Sequence, residues 1–286
     1  MRSPRKSPPP DPQIPVARRA IVRAGAAVAA STLLGAWLRP LVAQTERVPL
    51  PDAVDLRRLV AANRILAHEN VVDAFGHVSI RDPRNAQRYV LARSRSPELI
   101  ELDDLMVFEL DGTSLDARGR TPYGERMIHG AVYEARPDVH AVVHNHSYAV
   151  LPFTIGEQPL QPMIHMAAVI GAQVPVWDIR DDFGNTDMLV RRMDQGRSLA
   201  AALGTNTCVL MRGHGAVVAA RNVKEAVMIA FYLQVNAQVQ LQALGLGTAK
   251  PLSAAEVELS SATQFSPLAL DRAWEYFCVR AGVEPV

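Results

Sequence analysis

The stretch CVLMRGHGAVVAA, residues 208–220, does most to limit how this chain folds. Two apolar runs flank Gly213-His214-Gly215 and read as strands joined by a Gly-rich turn. Glycines in such a turn permit tight reversal and close backbone approach. The histidine between them is therefore held in a defined place. The bland reading is a hairpin turn that happens to carry His.

Other segments extend this pattern. HVSIR, RYVLAR and LMVFELDG read as strands, the first two around a loop at DPRNAQ. VHAVVHNH and VPVW read as two more. Helical spacing covers DAVDLRRLVAANRILAHEN, with Asp52 as N-cap, and YGERMIHGAVYEARP, stopped by Pro137. TDMLVRRMDQGRSLAAALG reads as a helix closed by Gly204, VKEAVMIAFYLQVNAQVQLQAL as a long amphipathic helix, and residues 266–281 as a last one. Strands and helices are interspersed, and several strands pair like hairpins. The class is α/β: a central, mainly antiparallel sheet between helical layers.

AVVHNHSYAV, residues 141–150, carries the chemistry. Residues i and i+2 of a strand share a face, so His144 and His146 offer two imidazoles to one point. Neutral imidazole binds Zn, Mn, Fe and Co. A bare His-x-His is weak evidence and needs a third ligand; His214 is the candidate. Glu125 stands at the start of the preceding helix. It reads either as compensation of the helix dipole or as an acid/base beside a metal. His129, four residues on, shares its helix face and is either a further ligand or packing behind Glu125. His68 and His140 read as surface residues.

The order GERMIH, AVVHNH, RGHGAVV resembles the class II aldolase/adducin family over most of residues 52–240. The resemblance implies a three-layer α/β/α sandwich and a homotetramer with sites near subunit interfaces. It implies His144, His146 and His214 as metal ligands and Glu125 as catalytic acid/base. The cofactor is then a divalent metal, Zn2+ or Mn2+ first, with Fe2+ or Co2+ as alternatives. The sugar-phosphate aldolases of that family hold phosphate with small hydroxyl and amide donors. Here the corresponding pairs are Gly76-His77, Arg93-Ser94 and Tyr123-Gly124, which puts a phosphorylated sugar in doubt. FGHVSIRDP, ARSRSPELI and PMIHMAAVIGAQVPVWD look instead like the branch that decarboxylates hydroxylated aromatic or pyridine carboxylates. On that reading His77, Arg93, Ser94 and Tyr123 bind substrate, and His165 joins Glu125 as a catalytic group. Arg93 or Arg95 would grip a carboxylate, the other being solvated; His165 has the alternative of a satisfied core histidine. Trp274 or Tyr276 would reach a neighbouring subunit's site. The implied activity is a metal-dependent carbon–carbon lyase on a small molecule. Alternatives are a retro-aldol reaction on a non-phosphorylated substrate, a non-haem iron oxygenase, and a non-catalytic adducin-like module, which would lack the three histidines.

The first 45 residues read as a leader and 46–286 as one catalytic domain. Arg18-Arg19 precedes an uncharged, Ala-rich run from Ala24 to Leu38, ended by Arg39-Pro40. The run is short and weakly apolar for a membrane span and fits an export signal of twin-arginine type, with cleavage after Ala43. The expected location is periplasmic, with no stable membrane span in the mature chain. The alternatives are a cytoplasmic protein with an N-terminal helix, or an uncleaved anchor. Residues 1–45 carry seven basic and one acidic side chains. The remainder holds 23 basic and 28 acidic ones, a net charge of −5. That balance leaves no basic patch for nucleic acid. Cys208 and Cys278 read as free buried thiols, because a core of this size needs no disulfide.

Overall fold

The Asp52 carboxylate accepts from the Val54 N–H and starts α1, Ala53–His68, as an N-cap should. The structure, a computed structural model, describes residues 50–286; the expected leader lies outside the described residues. These residues fall in one compact unit. After α1 come β1 (His77–Arg81), β2 (Arg88–Ala92), β3 (Leu105–Glu109), α2 (Arg126–Ala135), β4 (Ala141–Asn145) and α3 (Leu151–Ile155). Then follow β5 (Val176–Trp177), α4 (Ile179–Phe183), α5 (Met193–Leu203), β6 (Cys208–Met211) and β7 (Gly215–Ala220). The chain closes with α6 (Val223–Leu246), α7 (Ala254–Gln264) and α8 (Pro267–Arg280).

The seven strands form one sheet in the order β3-β2-β1-β4-β7-β6-β5. All neighbours are antiparallel except β5 and β6, which are parallel. The fold is the expected α/β/α sandwich around a mainly antiparallel sheet. β4 is central, and Val142 and Val143 are wholly buried within it. Each such side chain contributes about 1.5–3 kcal/mol by leaving water. On one face β1 turns Ser79 and Arg81 toward α2. Ser79 bonds Tyr133, and the Arg81 guanidinium donates to the carbonyls of Tyr133, Arg136 and Val139. α5 packs on α2, while α1, α6 and α8 pack together and cover β1, β4 and β7.

α6 departs from the amphipathic expectation. Glu225 to Ala230 are all buried, because this part of the helix lies between the sheet and other elements. Its polar residues further on hold a loop in place. Asn236 accepts from the Met163 N–H and donates to the Gln161 carbonyl; Gln240 accepts from Gln161 and donates to Pro159. These amides supply backbone partners that the loop lacks. α3, α4 and α7 were not foreseen from the pattern. Cys208 and Cys278 are free and buried, as expected. Among the described residues no helix is long and apolar enough to cross a membrane.

The helix read over residues 186–204 begins only at Met193. Gln195 Oε1 accepts from the Arg191 and Arg192 N–H groups and starts α5 there. The preceding stretch stays irregular, and it forms one wall of the site.

Candidate metal centre

Pairing across the sheet places the first histidines. His77 of β1 lies directly opposite His144 of β4, so both share the face that looks toward α2. His146 follows the end of β4, and its ring stands perpendicular to His144 with centroids 4.7 Å apart. β7 runs beside β4 and brings the turn carrying His214 to the same end. Gly213 has φ +60°, where other residues are strained, and a Cβ on Gly215 would lie 2.1 Å from the Asn145 carbonyl oxygen. The turn therefore needs both glycines. The His214 ring centroid lies 5.0 Å from that of His144 and 5.1 Å from that of His146.

Glu125 is the N-cap of α2, yet its side chain does not cap the helix. The carboxylate reaches across instead. Oε1 accepts from the Val190 N–H at 2.9 Å; Oε2 lies 3.6 Å from His144 Nε2 and 3.5 Å from His214 Nε2. This geometry is against simple dipole compensation. One ligand atom from each of Glu125, His144, His146 and His214 falls within 4.8 Å of all the others.

The local bonds ready these imidazoles for a cation. His144 Nδ1 donates to the Ala216 carbonyl at 3.2 Å and His214 Nδ1 to the Met188 carbonyl at 3.0 Å. Each then directs a bare Nε2 inward, the tautomer that a metal ligand needs. His144 Nε2 is buried without a hydrogen-bond partner, a costly condition unless something binds it. Burial, then the neighbouring imidazoles, pull His146 down to about 3, so it is neutral. Burial opposes the charge on Glu125, but the imidazoles of His144 and His214 hold its carboxyl far below the usual range. Burial would lower His214, but Glu125 raises it above 6.5. The cluster thus calls for positive charge, and a proton or a divalent ion answers that call. Three imidazoles and a carboxylate suit zinc, manganese, iron or cobalt.

A cleft of about 550 Å3 opens onto this cluster. Its walls include His77, Ser94, Arg95, Tyr123, Glu125 and Arg191. Tyr123 bonds the Arg95 carbonyl through its hydroxyl, so it presents a ring, tilted 44° against that of His77 with centroids 4.5 Å apart.

Two expectations need correction. Arg93 does not line the cleft: its Nε is bound to Asp104 at 2.5 Å. Asp104 is buried and draws both arginines, with Arg95 at 2.6 Å. Arg95 and Arg191 are the cations that face the cleft. His165 is neither catalytically placed in this subunit nor a core histidine. It is exposed in a separate groove with Met228, Phe231 and Tyr276, because the 3-10 turn that it starts packs on α6 and α7. Trp274 is buried in its own subunit, whereas Tyr276 is exposed. His129 is not in the cluster; it lies behind His77. His68 and His140 are exposed, as read.

The sequence reading missed Met188, Val190 and Arg191, whose segment passed for the start of a helix. The signal was Gln195, able to cap at Arg192 and so to start the helix late.

The model of the class II aldolase and adducin N-terminal domain matches residues 57–241.

The chain belongs to the class II aldolase/adducin family.

Among curated relatives of this family member is decarboxylase tropJ of Talaromyces stipitatus, 34% identical over 215 residues, 70% of this chain and 80% of the relative. A 3,4-dihydroxyphthalate decarboxylase of Arthrobacter keyseri is 30% identical over 217 residues, 70% and 83% of the two chains. Among solved structures, L-fuculose 1-phosphate aldolase of Glaciozyma antarctica superposes with a TM-score of 0.67 at 25% identity, over 80% of this chain and 89% of that one. The class II aldolase chain described here is an enzyme, a lyase as those relatives are.

Proposed function

We propose that this chain is a divalent-metal-dependent lyase that removes carbon dioxide from a hydroxylated aromatic carboxylate. The observation that carries the reading is the partnerless, buried Nε2 of His144, met by His146, His214 and Glu125 at the floor of a cleft edged with cations. The identity to two decarboxylases supports it.

His144, His146 and His214 would hold the ion, with Glu125 beside them; Zn2+ and Mn2+ suit the donors best. Bound there, the ion supplies Lewis-acid stabilisation of negative charge on a substrate oxygen. The protein's own groups do the rest. Arg95 and Arg191 attract the carboxylate and orient it. The Tyr123 ring, tilted against His77, offers an aromatic face to an aromatic substrate. Val190 fixes Glu125 Oε1, which leaves Oε2 to take a hydroxyl proton and return it to carbon.

Retro-aldol cleavage is the second reading, favoured by the fold shared with a sugar-phosphate aldolase. It would use the same charge stabilisation at oxygen. The imidazole of His77 and the ring of Tyr123 stand where a phosphate would need small donors, which supports decarboxylation instead. The homotetramer, and export of residues 46–286 to the periplasm by the leader, remain part of this proposal.

The test is metal analysis of the purified protein, then a screen for carbon dioxide release from hydroxylated benzoates and 3,4-dihydroxyphthalate. Release that depends on added Zn2+ or Mn2+ supports the reading. Aldehyde production from aldol substrates, with no carbon dioxide from any carboxylate, overturns it.

A further inference from the structure

From His77 a line of four buried polar side chains runs inward, His77 being the first. His77 Nδ1 lies 2.6 Å from His129 Nε2; His129 Nδ1 lies 2.6 Å from Ser79 Oγ; Ser79 Oγ lies 2.8 Å from the Tyr133 hydroxyl. All four residues are buried. None of the bonds is needed to close the sheet, and His129 lies outside the metal cluster.

The line has two possible proton orders, and its far end chooses between them. The phenol of Tyr133 must place its proton on an acceptor. Ser79 Oγ is the one that it has among the described residues, since the nearby Val142 N–H and the Arg81 guanidinium over its ring bring only donors. In the reverse order Ser79 would donate to Tyr133 and leave that buried O–H without a partner, which is the costlier arrangement. Tyr133 therefore donates to Ser79. Ser79 then gives its own proton to His129 Nδ1, and His129 donates through Nε2 to His77 Nδ1. His77 is left with its proton on Nε2, the nitrogen that makes no bond among the described residues. Burial keeps the phenol well above its ordinary range and holds His129 near 3, so every member is neutral and the order is fixed.

We propose that Tyr133, Ser79 and His129 act as positioning residues that fix His77 as a permanent Nε2–H donor into the cleft, where it receives a carboxylate oxygen of the substrate. The choice of a carboxylate rests on the decarboxylase reading above; the direction of the hydrogen bonds does not. The location suits the role. His77 faces His144 across the sheet, so a group bound to its Nε2 lies next to the metal cluster, with Arg95 and Arg191 on the same cleft. A donor that cannot turn into an acceptor favours an anion and disfavours a ligand presenting a hydroxyl proton at that point.

The test is a long-range proton–nitrogen correlation spectrum of the metal-loaded protein with nitrogen-15 histidine. The expected result is that His77 and His129 both carry the proton on Nε2 and none on Nδ1. Added phthalate, a carboxylate probe that cannot turn over, shifts the His77 Nε2–H proton downfield. In His129→Leu, KM for a substrate carboxylate rises about tenfold while kcat stays within about threefold and metal content is unchanged; His129→Gln, which keeps a donor, restores KM. A His77 proton on Nδ1, or a Nε2–H resonance indifferent to saturating phthalate, overturns the proposal. So does a loss confined to kcat in His129→Leu. The spectrum stands even if that variant fails to fold. If no carboxylate is turned over by the wild type, the proposed reaction fails, while the spectrum and the phthalate titration still decide this one.

Discussion

Val190 donates its backbone N–H to Glu125 Oε1 at 2.9 Å, across 65 positions of sequence. The bond turns the carboxylate away from its own helix and leaves one oxygen facing the histidines. Glu125→Gln keeps the acceptor for Val190 and removes the charge. The variant should fold and retain its metal, with turnover lowered about 10²–10³-fold. Metal analysis and single-turnover rates check both halves. An unchanged rate removes Glu125 from the mechanism.

Protons compete with metal at this site. Burial works against a charge on His214, but Glu125 raises it above 6.5 in the absence of an ion. A metal must displace that proton, so affinity should weaken as pH falls through the His214 value and level off above it. In the stripped protein the titrating groups pull in both directions. Its raised His214 contributes stability that is full below pH 6.5 and lost as pH climbs through the folded value. Its depressed Glu125 contributes stability present above pH 4.5 and lost with deeper acid. His146 and His129, held near 3, cost stability as pH falls below 6.5, and together they outweigh His214. Melting scans of the stripped protein should therefore fall off in acid, and added metal should raise Tm more at neutral pH than in mild acid. Identical profiles would contradict the coupling.

Gly215 and Gly213 flank the same histidine but serve different needs. A Cβ on Gly215 meets the Asn145 carbonyl oxygen at 2.1 Å and must push β4 and β7 apart. Gly213 has room, with Met188 Cε at 3.4 Å, and needs only its positive φ. Gly213→Ala should cost about 1–2 kcal/mol. Gly215→Ala should cost more and weaken metal binding as well, since three ligands hang on those strand ends. Thermal melts and metal titrations of the pair check the order.

Arg191 reaches the cleft, and among the described residues its side chain is otherwise tied only to exposed Asp187 at 3.2 Å. Arg191→Met should raise KM for a carboxylate substrate about tenfold or more, with stability nearly unchanged. Arg93→Met should instead lower stability, because it strips a partner from buried Asp104. Equal KM effects in both variants would contradict the division of labour.

Much of this was legible in the residues. The apolar runs between turn residues revealed the strands, the i, i+2 spacing set His144 and His146 on one face, and the glycines beside His214 marked a close approach. What escaped depended on contacts distant in sequence. Residues 186–192 have helical spacing but start the wall of the site, since Gln195 caps the helix late. Arg93 and Arg95 look alike in sequence and both bind buried Asp104; only the folded loop shows that Arg95 is the one bordering the cleft. His129 could be placed on the face of Glu125, but its bond to His77 depends on how β1 pairs with β4.

The central claim is that three imidazoles, with one carboxylate beside them, hold a single divalent ion. Its most direct test is the metal content of the purified protein by elemental analysis, beside His144→Ala and His214→Ala. The account predicts one divalent ion per chain in the wild type, with metal and activity lost together in both variants. Full turnover by metal-free His214→Ala protein would contradict it.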